Sequence, residues 1–182
     1  MARIKITKLQ AVKEQLETAI DLFFNDGSPV SIHTLTWAAY NVLCDLNKHK
    51  GGSPTLINDG FLSIVKPEHK KALRRKLREA HTFFKHADKD PDDELEFEPA
   101  QTDYVLVDAC DRYHLLHGSV NHRISAFQVW FFLSRRYYLN AEYNAEIDRM
   151  TFEKKDKAKF YKEYMALPPQ EMRYVETPKK KK

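Results

Sequence analysis

Between residues 7 and 46, apolar side chains recur every three or four positions in two runs with one break between them. Leu9, Val12, Leu16, Ile20 and Phe23 make the first run. Only an α-helix, at about 3.6 residues per turn, puts such positions on one face. Thr7 and Gln10 have the S/T-x-x-E/Q spacing of a capping box at its start, and Asn25-Asp26-Gly27 ends it. Ser28-Pro29 opens a second helix with proline in its first turn. Its expected buried stripe is Ile32, Leu35, Ala39, Val42, Leu43 and Leu46, and Gly51-Gly52 closes it. The short join makes the pair an antiparallel helical hairpin. With only 5 glycines in 182 residues, the chain has little material for the turns of a sandwich or barrel.

The same periodicity continues. Pro67 starts a third helix with Leu73, Leu77, Ala80 and Phe84 as its expected core stripe. Pro99 starts another, with Leu106, Cys110, Tyr113 and His117 in line and Gly118 at its end. A further helix runs from about Asn121 to Leu139. Its apolar face, which includes Ile124, Phe127, Trp130, Phe131 and Tyr138, is wider than one stripe needs. Such a face belongs either to the centre of a bundle or to a subunit interface. Glu153 to Leu167 reads as a charged helix with Phe160, Tyr164 and Leu167 as a thin apolar edge, ended by Pro168-Pro169. The segment TLINDGFLSIV after Pro54 is too short and interrupted to assign, and Asn140 to Met150 reads as a short acidic helix. The expectation is one all-α domain over 1–167, an irregular up-and-down helical bundle of five to six main helices, followed by a disordered tail over 168–182.

Composition sets the class. Apolar residues make up 42% and charged residues 31% of the chain, the balance of a folded globular protein. No apolar run approaches the roughly 18 residues of a membrane span, and the basic N-terminus lacks the apolar core of a secretory signal. Cys44 and Cys110 stand apart, each within a helix and without a CxxC neighbour, so unpaired, buried thiols in a cytoplasmic protein are expected. The net charge of +4 equals that of the last four residues, all lysine, so the body is neutral. Overall charge therefore gives no argument for nucleic-acid binding.

Local charge differs. Eight Lys or Arg against two Glu give residues 66–86 a net +6, and seven acids against one Lys give residues 88–98 a net −6. Two interpretations follow. The helix offers Arg74, Arg75 and Arg78 to phosphates, or it and the acidic loop neutralise each other. The equal and opposite charges favour the second. Within the acidic loop, ELEFE alternates like a strand but has no partner and reads as loop.

No P-loop, GxGxxG, GxSxG, HExxH, EF-hand loop or paired CxxC is present. His81 and His86 are five apart on a helix, about 140° from alignment, and cannot ligate one metal from that helix alone. His86 with Asp88, Asp90 and Asp92 could hold a hard cation, and Asp111, His114 and His117 make a partial metal site that needs a carboxylate from elsewhere. The plainer interpretation of the second cluster has His117 as a hydrogen-bonded core histidine and His114 exposed. Neither cluster makes a complete metal site, and no metal or cofactor is expected.

Arg112 to His117 has R-x4-H spacing, Arg75 to His81 R-x5-H and Arg74 to His81 R-x6-H. With the opening helical hairpin, this resembles the HEPN superfamily of small all-α domains, many of them metal-independent endoribonucleases of bacterial toxin or defence systems. HTFFKHADKDP also resembles uncharacterised bacterial proteins with an FFKHAD-type segment. The HEPN resemblance implies a dimer cleft in which His81 acts in acid–base cleavage and Arg75 or Arg74 holds the scissile phosphate, with Arg112 and His117 as second choice. Arg78, Lys85 and His86 would then bind RNA. The rival expectation is a non-catalytic interaction or regulatory module, a homo-oligomer or partner-binding protein that uses the aromatic face near Trp130. A metal-dependent hydrolase built on the histidines is a third. No membrane partner is expected.

Overall fold

The computed structural model describes residues 3–52, 67–88, 91–119, 121–135 and 156–168, and the side chains of Leu73 and Arg74 are not among those described. Six helices lie within these residues: α1 (Lys8–Phe24), α2 (Pro29–His49), α3 (Pro67–Phe83), α4 (Ala100–His117), α5 (His122–Ser134) and α6 (Lys157–Ala166). No strand occurs among the described residues, and ELEFE is loop. The chain is an all-α bundle. The segment after Pro54, residues 136–155 and the tail from 169 lie outside the described residues.

Most helix ends follow the sequence signals, but α5 ends at Ser134, with Arg135 as its C-cap, rather than at the expected Leu139. Thr7 Oγ1 accepts from the Gln10 N–H at 3.2 Å, and Gln10 Oε1 accepts from the Thr7 N–H at 2.8 Å, completing the capping box. Ser28 caps α2 with Pro29 in the first turn. Gly118 ends α4 in the left-handed region at φ 77°, its N–H bonded to the His114 carbonyl. Asn121 and Asp156 cap α5 and α6 through their side chains.

α1 packs along α2, α2 along α4, and α5 lies against α1, α4 and α6. The core runs through Val12, Leu16, Ile20 and Phe24 of α1, Trp37, Tyr40 and Leu43 of α2, Leu106, Cys110 and Tyr113 of α4, Ile124 and Phe127 of α5, and Phe160 of α6. Cys44 is half-buried, Cys110 is buried, and neither is in a disulfide. Burial in apolar surroundings raises the Cys110 thiol well above its ordinary value.

Several faces differ from expectation. Phe24, not Phe23, is fully buried at the end of α1, stacked on Tyr161 at 4.3 Å. On α2, Leu35, Val42 and Leu46 are half-buried, while His33, Thr36, Trp37, Tyr40 and Asn47 are buried. The reason is that α2 is flanked by α1, α3 and α4, so its buried surface is broader than one stripe. Leu77 is 36% exposed and is not core, because α3 meets the bundle chiefly through α2. His114 and His117 are reversed: His114 is buried and its Nε2 accepts from the Asn121 N–H, while His117 is exposed and stacks on Tyr113. Burial and the neighbouring His117 lower the His114 imidazole to about 4.

The wide aromatic face of α5 is central to the bundle. Trp130 packs against Phe24 and Phe160 at ring distances of 6.2 and 5.2 Å and is 9% exposed. The interaction surface expected there is therefore occupied by the chain itself.

Candidate functional site

Polar chemistry concentrates where α3 and the loop 91–98 meet α2 and α4. Helix α2 supplies His33 and Trp37, one turn apart on its buried face. The His33 Nδ1 is hydrogen-bonded to Thr102 Oγ1 of α4 at 2.8 Å. Edge-to-face contacts from Phe84 and Phe97 surround the imidazole. Its Nε2 is buried without a hydrogen-bond partner, as is Trp37 Nε1. Desolvation, and then the positive charge that His81 can carry, lower the His33 imidazole to about 4.

His81 of α3 stacks on Trp37, with ring centroids 5.1 Å apart and planes 23° from parallel. The Asn41 side-chain amide donates to its Nε2 at 3.3 Å. That leaves the proton on Nδ1, which is buried without a partner. Burial is the main cause of its lowered pKa, about 4, followed by the charges of Lys85, Arg78 and His86. His81 is thus a neutral, packed imidazole near pH 7. The Arg78 guanidinium lies 5.8 Å from the centre of the Trp37 ring.

Two clefts flank α3. The first, of about 490 Å³, is walled by His33, Trp37, Leu77, Ala80, Phe97 and Tyr104, with Lys76, Glu79, Glu96 and Glu98 also lining it. The second, of about 640 Å³, brings Lys71, Arg75 and Arg78 alongside Asp93 and Glu94. The basic helix and acidic loop thus share a cleft.

The expected catalytic groups separate across these features. Arg75 is exposed in the second cleft, and His81 lines neither cleft. Lys85 and His86 are exposed beyond the end of α3. Arg112 lies 3.7 Å from Asp108, which also accepts a hydrogen bond from the Tyr40 hydroxyl, while His117 faces Ser119 and Tyr113. Asp111 is bonded to Gln128, and burial raises its carboxyl to about 6. Among the described residues, no group of three His, Cys, Asp or Glu side chains could hold a metal. No helix among them is long and apolar enough to cross a membrane.

Sequence reasoning missed His33, Trp37, Phe97 and Tyr104. The available signal was a histidine and a tryptophan four apart within an apolar helix, which marks a polar atom in need of a partner. Comparison with known proteins finds no family model, no curated protein and no solved structure that matches this chain.

Proposed function

We propose that this protein is a non-catalytic regulatory module that binds a small ligand with an apolar body in the cleft between α2, α3 and α4. The observation that carries the reading is the pairing of apolar, aromatic walls with two buried, unpartnered polar atoms, His33 Nε2 and Trp37 Nε1. Ligand sites are typically concave and mostly apolar, with a few polar groups that fix orientation, and span about 300–1,000 Å³. The His33 imidazole, held well below its ordinary pKa in the cleft wall, adds to the case. Nile red, a neutral apolar fluorophore, tests the reading. Its emission is expected to rise on binding the wild type and to be lost in Ala80→Trp, which fills the cleft, with the melting temperature retained. Absent binding, or binding undiminished by that substitution, overturns the reading.

A second reading follows the HEPN resemblance and is favoured by the alignment of Lys71, Arg75 and Arg78 along one cleft. In it the protein is a dimeric endoribonuclease with His81 as the acid–base group and Arg75 or Arg74 on the phosphate. Asp93 and Glu94 in the same cleft, and the packing of His81 on Trp37, weigh against it. Cleavage of RNA at low salt that is abolished in His81→Ala, with the fold intact, would displace the ligand-binding reading in its favour.

A further inference from the structure

The walls of the α2–α3–α4 cleft are not charge-balanced. Among the described residues Lys76 is the one Lys or Arg that lines it, and Lys76 is paired with Glu79. Glu96 has no ion-pair partner among the described residues, and Glu98 accepts only from the Gln101 amide, at 3.3 Å. Two carboxylates therefore line the cleft without a counter-cation. Aromatic rings lie in the same walls: Trp37 is almost fully buried, Phe97 is half-buried and Tyr104 is 51% exposed. Aromatic faces attract cations, most strongly where water is excluded. Nearby cations are committed elsewhere. Arg135, stacked on Tyr104, pairs with Asp103 at 2.6 Å, and Arg78, which lines the neighbouring cleft, lies 5.8 Å from the centre of the Trp37 ring.

Resting on the ligand-binding reading, we propose that this cleft takes a small organic cation, an amine with an aromatic or apolar body. The body lies against Trp37, Phe97 and Tyr104, and the ammonium reaches Glu96 and Glu98. At the inner end, Trp37 Nε1–H is a donor without an acceptor and His33 Nε2 lacks a partner. Both side chains are more than nine-tenths buried and belong to the cleft wall.

Three probes of one shape separate the outcomes on the full chain: tyramine (cationic), 4-ethylphenol (neutral) and 3-(4-hydroxyphenyl)propionate (anionic). The readout is the Trp37 indole N–H resonance, assigned with Trp37→Phe because the chain has 2 tryptophans. Tyramine is expected to bind roughly ten-fold more tightly than 4-ethylphenol, as two exposed charge contacts together allow, and the propionate most weakly. The double variant E96Q/E98Q is expected to erase the advantage of tyramine and leave 4-ethylphenol unchanged. Equal binding of cation and anion, or a tyramine advantage that survives E96Q/E98Q, overturns the cation inference while the cleft reading stands. Failure of all three probes to shift the indole signal overturns both.

Discussion

At the scale of the residue, the unusual feature is a local excess of unsatisfied polarity. A buried donor or acceptor without a partner costs about 1–3 kcal/mol. His33 Nε2, Trp37 Nε1 and His81 Nδ1 carry that cost within one side-chain cluster. The same burial makes stability pH-dependent. His33, His81 and His114 each have a folded pKa near 4 against 6.5 for the ordinary group. The unfolded chain therefore takes up protons first, and stability falls as pH drops from about 6.5 towards 4. Asp111 acts in the opposite sense, since its carboxyl, raised to about 6, gains a proton in the folded state before the unfolded chain does. Burial raises the Asp103 carboxyl in the same sense, and the three histidines outweigh these two carboxyls, so the net effect of acid is loss. Urea unfolding midpoints are expected to fall between pH 7 and pH 5, and less so in His33→Gln. A midpoint that is flat across this range would contradict the burial of the three neutral imidazoles.

At the scale of the element, helix ends and helix docking make separate contributions. Gly118 has φ 77°, and a Cβ there would meet nothing, so Gly118→Ala isolates backbone strain. The expected loss is about 1–2 kcal/mol in chemical denaturation. Asn121 both caps α5 and donates through Nδ2 to Glu17 of α1 at 2.8 Å. Asn121→Ala should cost about 1–2 kcal/mol, more than a solvent-facing cap alone. Helix α3 contrasts with these. None of its described side chains is fully buried, and its attachment rests largely on the stacking of His81 on Trp37. Amide hydrogen exchange across α3 is expected to be faster than across α1 and α4, and faster still in His81→Ala. Equal protection of the three helices would show that α3 is held by more than this contact.

At the scale of the whole molecule, α5 is the point at which α1, α4 and α6 converge. Phe127 is fully buried, and Phe127→Ala should cost about 3–5 kcal/mol through lost transfer free energy and the cavity left behind. The location of Trp130 distinguishes a core from an interface. Trp130→Glu would place a charge among Phe24 and Phe160 and should lower the melting temperature of a single chain at any concentration. A variant that instead changed only the sedimentation behaviour would restore the interface reading. Charge is also organised at this scale, since Lys71, Arg75 and Arg78 share a cleft with Asp93 and Glu94. That arrangement accords with a body whose charges nearly cancel and with mutual neutralisation of helix and loop.

The sequence by itself determined the helices and their ends. Capping, glycine and proline signals act through hydrogen bonds between residues three or four apart, as with Thr7 and Gln10 or Gly118 and His114. It did not determine which face of α2 is innermost, which of His114 and His117 is buried, or whether Trp130 faces a partner or the core. Those outcomes depend on how many helices surround each element, and periodicity does not encode neighbours. The cleft is the clearest case. It is built on contacts such as that of His33 with Thr102, 69 positions apart, while Asn41 and His81, 40 positions apart, hold α3 beside it. Only the tertiary structure decides which polar atoms remain without partners, because a partner is supplied by packing distant segments together.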